Sequence, residues 1–174
     1  MTPSDLARLD GQLASLHLLH VRSNYQAFAT TAAQKQLTHL AYLAELIEGE
    51  ATVRENRAIE RRIKKARFPV LKTMEDFEWG WPKKINRPQI QNLFRLAFMA
   101  DNTNIVFIST VGLGKTHISL ALGHAACIAG HSVLFTTAAQ LLLEFGAQEP
   151  ARALDQRLRH YCTHTGLLVI DEIG

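Results

Sequence analysis

The sequence has few cysteines and lacks the segments that send a chain into or across a membrane. Its two cysteines, Cys127 and Cys162, are not spaced as a metal-binding or disulfide motif, so we expect a reducing, cytoplasmic environment. The eight histidines show no metal-ligand spacing either. The chain does not open on a basic segment followed by an apolar one, and no apolar run is long enough to span a bilayer. These absences argue against a disulfide scaffold, a structural metal site and a membrane protein.

The composition is that of an ordinary globular protein. Of the 174 residues, 47% are hydrophobic and 20% are charged, which is unlike the composition of disordered chains. The length predicts one domain with an additional segment. The formal net charge is +3, so the placement of the basic residues matters more than their excess.

The stretch from Asn104 to His117 has the pattern of a phosphate-binding loop. An apolar run at residues 104–108 predicts a first strand, and a loop ending in Gly-Lys-Thr then opens onto a helical pattern. In such a loop the backbone N–H groups face the phosphates, Lys115 contacts the β- and γ-phosphates, and Thr116 binds Mg²⁺. The candidate nucleotide-contacting residues are Ser109, Thr110, Val111, Gly112, Leu113, Gly114, Lys115, Thr116 and His117.

The first position of this loop departs from the pattern. The pattern has glycine where this chain has Ser109, and serine adopts a positive φ angle less readily than glycine does. If that position needs a positive φ, we expect the loop to be strained or reshaped.

A second apolar run ends in two carboxylates. Residues 167–170 predict a strand, which Asp171 and Glu172 follow directly. In ATPases that carry a phosphate-binding loop, an aspartate at such a strand end supports Mg²⁺, and we expect the next glutamate to polarise the attacking water. The alternative is a buried strand followed by a solvated acidic turn.

Residues 1–68 are dominated by helical patterns, with Ser4 as the expected cap of a first helix. Thr38 is the expected cap of a longer helix that Pro69 stops after residue 68, and Leu40, Leu43 and Ile47 give that helix an apolar stripe. Its second half is basic, and two interpretations stay open: a solvated face with Glu–Arg pairs, or a stripe that follows DNA phosphates. The basic residues are Arg54, Arg57, Arg61, Arg62, Lys64, Lys65 and Arg67.

The remainder of the chain alternates between helix and strand patterns. Residues 69–82 are expected to be a packed connector anchored by aromatic residues, and a helix capped by Asn86 is expected to run to about residue 101. Further strands are predicted at residues 132–136 and 167–170, each preceded by helical patterns. We therefore predict an α/β fold, a partial parallel sheet flanked by helices. The predicted divisions are residues 1–68, 69–103 and 104–174.

Several motifs together resemble the IstB-like ATP-binding proteins, which are helper ATPases of bacterial insertion sequences in the AAA+ class and are related to the helicase loader DnaC. The motifs are ENR at 55–57, RRIKKARFP at 61–69, LKTMEDF at 71–77, GLGKTH at 112–117, FTTAA at 135–139 and LVIDEIG at 168–174. The resemblance covers nearly the whole chain.

This resemblance implies ATP and Mg²⁺ as cofactors, and DNA and the transposase of the same element as partners. It implies that Lys115 and Thr116 bind phosphate and Mg²⁺, that Asp171 supports Mg²⁺, that Glu172 serves hydrolysis, and that the Arg54–Arg67 segment binds DNA. An intact member is also expected to form homo-oligomers.

Two features of the chain depart from the family pattern. The family usually has Gly-Pro-Pro-Gly where this chain has Ser-Thr-Val-Gly at 109–112, and it continues beyond Gly174 with a sensor strand and an arginine finger. We therefore expect a truncated helper with poor hydrolysis. Without the sensor strand, the first and third predicted strands must either pair directly or leave backbone groups unpaired. Direct pairing would shift Asp171 by one strand spacing, about 4.8 Å, which Mg²⁺ geometry does not tolerate.

Two other functions stay open at this point. One is a non-enzymatic DNA- or partner-binding fragment in which the ATPase half is vestigial. The other is a helicase loader on the DnaC plan.

Overall fold

A computed structural model describes residues 2–80, 85–147 and 151–172 of the chain. The chain divides into two compact units, Met1–Ala58 and Ile59–Gly174. The elements in chain order are α1 Pro3–Ser15, α2 Leu19–Gln34, α3 His39–Lys65, α4 Arg87–Leu93, α5 Ala97–Ala100, α6 Lys115–Ile128, β1 Val133–Thr137, α7 Ala138–Gly146, α8 Ala151–His164 and β2 Leu167–Asp171.

The first unit is built from helices around a small apolar core. Leu13, Val21 and Leu46 are its buried centre, and partly buried aromatic residues pack around them. The prediction that Ser4 caps α1 was wrong, because Thr2 is the cap and forms a reciprocal capping box with Asp5. The box satisfies two backbone N–H groups that the start of a helix leaves without partners.

A buried carboxylate joins the ends of two helices in this unit. Glu50 is 3% exposed and accepts the N–H groups of His20 at 2.8 Å and Val21 at 3.2 Å, at the start of α2. Arg54 donates its Nε to Glu50 at 3.1 Å and its NH2 group to the His17 carbonyl at 3.1 Å, just after α1. Each charge therefore faces the helix end that favours it, because helix starts attract anions and helix ends attract cations.

Helix α3 starts as predicted but buries a different face. Thr38 Oγ1 accepts the N–H of Ala41, which confirms the cap. The apolar stripe of Leu40, Leu43 and Ile47 is at least half exposed, at 79%, 52% and 50%, whereas the buried residues of α3 are Leu46 and Glu50. The helix ends at Lys65, three residues earlier than predicted, because the chain turns at Arg67 with a φ of 60°.

In the second unit, residues 66–80 form a connector without helix or strand. Phe77 anchors it, at 7% exposure, so the prediction of a packed connector is confirmed as far as residue 80; Trp81 and Pro82 lie outside the described residues. The following helix is capped by Asn86, whose side chain accepts the Gln89 N–H. It is broken rather than continuous, because Leu96 has a φ of 58° between α4 and α5.

The sheet consists of β1 and β2, which pair in parallel from Val133 opposite Leu167 to Thr137 opposite Asp171. The predicted second and third strands are thus confirmed. A core of Ala126, Cys127 and Val133 lies between α6 and the sheet, and Gly130 ends the α6 segment with a φ of 100°. The predicted α/β architecture, with a partial parallel sheet and preceding helices, is what the chain adopts.

The predicted first strand does not form. Residues 103–110 are in neither a helix nor a strand, although their exposure alternates: Val106 and Ile108 are 72% and 91% exposed, while Ile105 and Phe107 are partly buried. A strand needs a partner to share its backbone hydrogen bonds, and β2 pairs with β1 instead. Of the two alternatives for this segment, the one without direct pairing to the third strand is observed.

Among the described residues, no helix combines the length and the apolarity that crossing a membrane requires.

Candidate nucleotide-binding site

The loop before α6 is shaped by two glycines in the left-handed region. Gly112 has a φ of 82°, and Gly114, the residue directly before α6, has a φ of 83°. Ser109 is not among the residues with positive φ. The strain expected at Ser109 is therefore absent, because the two later glycines make the turn. This backbone leads into the first turn of α6, whose N–H groups favour an anion.

Lys115 is the first residue of α6, and its ammonium group lies back over the loop. Nζ donates to the Ser109 carbonyl at 2.8 Å and to the Thr110 carbonyl at 2.9 Å. Both carbonyls belong to the predicted nucleotide-contacting residues, so the lysine is at the loop and not turned away. Val111, between them and Gly112, is 95% exposed, and Leu113 is partly buried.

Thr116 and Asp171 meet across the unit although they are far apart in sequence. The Thr116 hydroxyl donates to Asp171 Oδ1 at 3.2 Å. Asp171 is the last residue of β2 and pairs in register with Thr137 at the end of β1. Because β2 pairs with β1 and not with residues 104–108, the condition for the expected shift of Asp171 is not met. A hydroxyl and a carboxylate in one place are the hard oxygen donors that Mg²⁺ prefers, so these two residues fit the metal that the resemblance implies.

Glu172 follows Asp171 with a φ of 57° and is exposed. The left-handed conformation costs a residue other than glycine roughly 1–2 kcal/mol. Such strain gathers at functional sites. The conformation turns the chain directly after the strand, so Asp171 and Glu172 do not continue the alternating directions of the sheet.

His117 and the connector contribute contacts that sequence reasoning missed. His117 was predicted to contact nucleotide, and its Nε2 lies 2.8 Å from the Thr73 carbonyl oxygen. Its ring also packs edge-on against Phe77, with the ring centres 5.2 Å apart. The available signal was the LKTMEDF motif at 71–77, which carries the family resemblance and contains both Thr73 and Phe77.

The basic residues of the predicted DNA-binding segment are used in different ways. Arg54 bonds to Glu50 and the end of α1, as described above. Arg62 donates Nε to the Cys127 carbonyl at 2.8 Å, near the end of α6, where a cation is favoured. Arg67 lies close enough to Glu144 to help lower the pKa of that carboxyl, after the larger effects of hydrogen bonds from Tyr161 and Arg157.

The other four residues of that segment are Arg57, Arg61, Lys64 and Lys65, all exposed. Within the second unit, Arg61, Lys64 and Lys65 stand three and four residues apart on the last turns of α3. That spacing places them on one side of the helix. Whether they bind DNA stays a prediction.

Comparison with known proteins gives matches over most of the chain. The family model described as "IstB-like ATP binding protein" matches residues 11–174. The chain is 31% identical over 166 residues to a Pseudomonas aeruginosa protein named as an ATP-binding protein of insertion sequence IS21, a match that covers 95% of this chain and 62% of that relative.

Two more relatives are also named as ATP-binding proteins of insertion sequences. A protein of IS232 from Bacillus thuringiensis subsp. berliner is 34% identical over 139 residues, which cover 80% of this chain and 55% of the relative. A protein of IS5376 from Geobacillus stearothermophilus is 29% identical over 159 residues, which cover 91% and 63%. The chain thus spans less than two thirds of the length of each of these relatives.

With most of its length matched by the family model and with a relative above 30% identity, this chain belongs to the family of IstB-like ATP-binding proteins.

Proposed function

We propose that this chain binds ATP with Mg²⁺ at the loop of residues 109–117 and helps the transposase of an insertion sequence. The observation that carries the proposal is the meeting of the Thr116 hydroxyl with the Asp171 carboxylate at 3.2 Å, one residue after Lys115 at the start of α6. Family membership and the names of the relatives support ATP binding and the insertion-sequence context.

In this proposal each side chain has a separate role. Lys115 exchanges its two loop carbonyls for phosphate oxygens and neutralises part of their charge. Thr116 and Asp171 hold Mg²⁺, which when bound neutralises the charge on the phosphate oxygens. Glu172 orients the attacking water. The N–H groups of the first turn of α6 complete the phosphate site.

Isothermal calorimetry with Mg²⁺-ATP tests the nucleotide site. We expect Lys115→Ala to weaken binding by about 10- to 100-fold, since a charge-assisted hydrogen bond contributes about 1.5–3 kcal/mol. Lys64→Ala is the matched control, because Lys64 is an exposed lysine on another helix. Equal affinity of Lys115→Ala and the wild type would contradict the site, as would a folded wild-type chain that binds no ATP.

The metal role of Asp171 has its own test. Asp171→Asn keeps the shape and an acceptor oxygen but removes the charge. We expect it to abolish most of the difference between ATP affinities measured with Mg²⁺ and with EDTA, while affinity in EDTA stays near that of the wild type. A variant with an undiminished Mg²⁺ effect would remove Asp171 from the metal site.

DNA contact is the second part of the proposal, and within the second unit we assign it to Arg61, Lys64 and Lys65. The plot of log affinity against log salt concentration has a negative slope, and each lost phosphate contact reduces the magnitude of that slope by about 0.9. Fluorescence anisotropy with duplex DNA should show this decrease for a Lys64→Ala/Lys65→Ala double variant. Arg8→Ala, an exposed arginine on α1, is the control. An unchanged slope in the double variant would leave these lysines as a solvated face.

The partner assignment can be tested by co-purification. The chain should be retained by the transposase of its own element, more strongly with Mg²⁺-ATP than without nucleotide. Retention by a replicative helicase and not by the transposase would favour the helicase-loader alternative.

A further inference from the structure

The ring of Phe77 occupies the space that a side chain at Gly114 would need. A Cβ built on Gly114 would lie 2.7 Å from Phe77 Cε2 and 3.3 Å from Cζ, and the first of these distances is closer than real contacts allow. Gly114 also has a φ of 83°, which residues with side chains rarely adopt. The glycine therefore meets two demands, a left-handed turn and the close approach of an aromatic ring from the connector.

A second contact joins the connector to α6 at His117, three residues after Gly114. The carbonyl of Thr73 can only accept, so His117 Nε2, at 2.8 Å, is the donor. The Thr73 end of this bond is itself fixed, because Asp76 accepts both the Thr73 hydroxyl at 2.9 Å and its N–H at 3.3 Å. The ring of His117 then packs edge-on against Phe77. The connector thus makes two contacts with the start of α6.

The two contacts bracket the residues that matter for nucleotide. Lys115 and Thr116 lie between Gly114, which meets Phe77, and His117, which is bonded to Thr73. We propose that Phe77 and His117 are positioning residues: they fix both ends of the Gly114–His117 segment and so set the direction in which Lys115 and Thr116 present their side chains. This inference rests on the proposed function for its consequence, but the clamp itself is a property of the chain without nucleotide.

Hydrogen exchange in the absence of nucleotide tests the clamp directly. The Ile118 N–H, which donates to the Gly114 carbonyl at 2.9 Å, reports the order of this turn. We expect its exchange to become about tenfold faster or more in Phe77→Leu and in His117→Ala, since local opening follows the loss of local contacts. Amides near the middle of α6, such as that of Leu122, should change much less.

Two variants separate positioning from general packing. Phe94 packs in the same apolar cluster as Phe77 and Ile118, whereas Phe77 supplies the atoms nearest to Gly114. Phe94→Leu should therefore leave the ratio of Ile118 to Leu122 exchange near its wild-type value. His117→Gln keeps an N–H donor for the Thr73 carbonyl and should restore part of the protection lost in His117→Ala. If Phe77→Leu and His117→Ala change this ratio no more than Phe94→Leu does, the clamp is overturned.

ATP affinity, measured on the same variants by calorimetry, distinguishes the two proposals. If the wild type binds ATP, the clamp predicts affinity losses of about 5- to 20-fold for Phe77→Leu and His117→Ala, as expected when a binding segment is no longer preorganised, and little change for Phe94→Leu. Faster exchange at Ile118 in a chain that binds no ATP would uphold the clamp and defeat the proposed function. ATP binding with unchanged exchange would uphold the function and defeat the clamp.

Discussion

Two helix starts in this molecule are completed in opposite ways. Helix α2 receives a carboxylate from within its own unit, because Glu50 accepts the N–H groups of His20 and Val21. Helix α6 begins behind Gly114, which has no side chain with which to cap it. Both starts favour a negative charge. The difference teaches that the anion at α2 is part of the fold, and it agrees with the proposal that α6 takes its anion from a phosphate.

The largest expected effect comes from removing the built-in anion. Glu50→Gln keeps the size of the side chain but leaves the backbone N–H groups and Arg54 without a charge to bind. We expect the free energy of opening of the first unit to fall by about 2–3 kcal/mol. Exchange of the Leu46 N–H, in the buried core of this unit, measures it, with Glu48→Gln, an exposed glutamate of the same helix, as the control. Equal protection in both variants would contradict the role of Glu50.

Acid should act on the same contact. Burial raises the pKa of Glu50, but the hydrogen bonds from Val21, Arg54 and His20 lower it further, so that it lies below its ordinary value of 4.5. The unfolded chain therefore takes up the proton first, and the stabilisation is complete above about pH 4.5 and is lost as the pH falls through the folded-state pKa. Thermal unfolding followed by circular dichroism should show that the wild type unfolds at a lower temperature at acidic pH than at neutral pH. This difference should be smaller in Glu50→Gln. Identical pH profiles would refute this.

At the start of α6, a methyl group added to Gly114 should lower the free energy of unfolding by nearly as much. Gly114→Ala would have to adopt a φ of 83° and displace the Phe77 ring. We expect a loss of about 2 kcal/mol in unfolding free energy, measured by urea denaturation, together with weaker ATP binding. A variant as stable as the wild type would show that the turn tolerates a side chain.

The opposite end of α6 should give a smaller effect. Arg62 donates to the Cys127 carbonyl at 2.8 Å. Arg62→Gln removes the cation while leaving a long polar side chain, and we expect a loss of about 0.5–1.5 kcal/mol by the same urea measurement. Arg61→Gln, next to it and exposed, is the control. A larger loss in the control would show that the effect belongs to the α3 segment as a whole.

The smallest effect should come from a glycine in the interior of a helix, away from both of its ends. Gly11 is inside α1, and a Cβ there would meet nothing within 4 Å. Gly11→Ala should therefore stabilise the chain by about 0.5–1 kcal/mol, since alanine favours the helix and restricts the unfolded chain. Thermal unfolding should show the increase. Destabilisation would mean that Gly11 makes a contact that a side chain at this position disrupts.

Local signals in the sequence predicted much of the fold. Thr38 and Asn86 cap helices as their positions indicated. The apolar runs at β1 and β2 became parallel strands. In each case the deciding interactions lie within a few residues along the chain or repeat with a regular period, so the sequence contains them directly.

Predictions failed where a distant partner decides the structure. Residues 104–108 have the composition of a strand, but pairing is a property of two segments, and β2 pairs with β1. The role of Glu50 depends on residues 29 and 30 positions away, which no local pattern indicates. At the candidate site, Lys115, Thr116 and Asp171 were predicted by their motifs and lie together, whereas the contacts of Phe77 and Thr73 with the loop were not foreseen.

Lys115 donates to the Ser109 and Thr110 carbonyls, so these carbonyls compete with a phosphate for the lysine. When a phosphate displaces these two carbonyls from Lys115, two bonds break as new ones form, so the measured affinity reports a difference between two occupied states and not the full strength of the new contact. Replacing the lysine also removes this competition, because the two carbonyls then form hydrogen bonds with water. The loss of affinity in Lys115→Ala is accordingly a lower bound on the direct interaction between this ammonium group and a nucleotide.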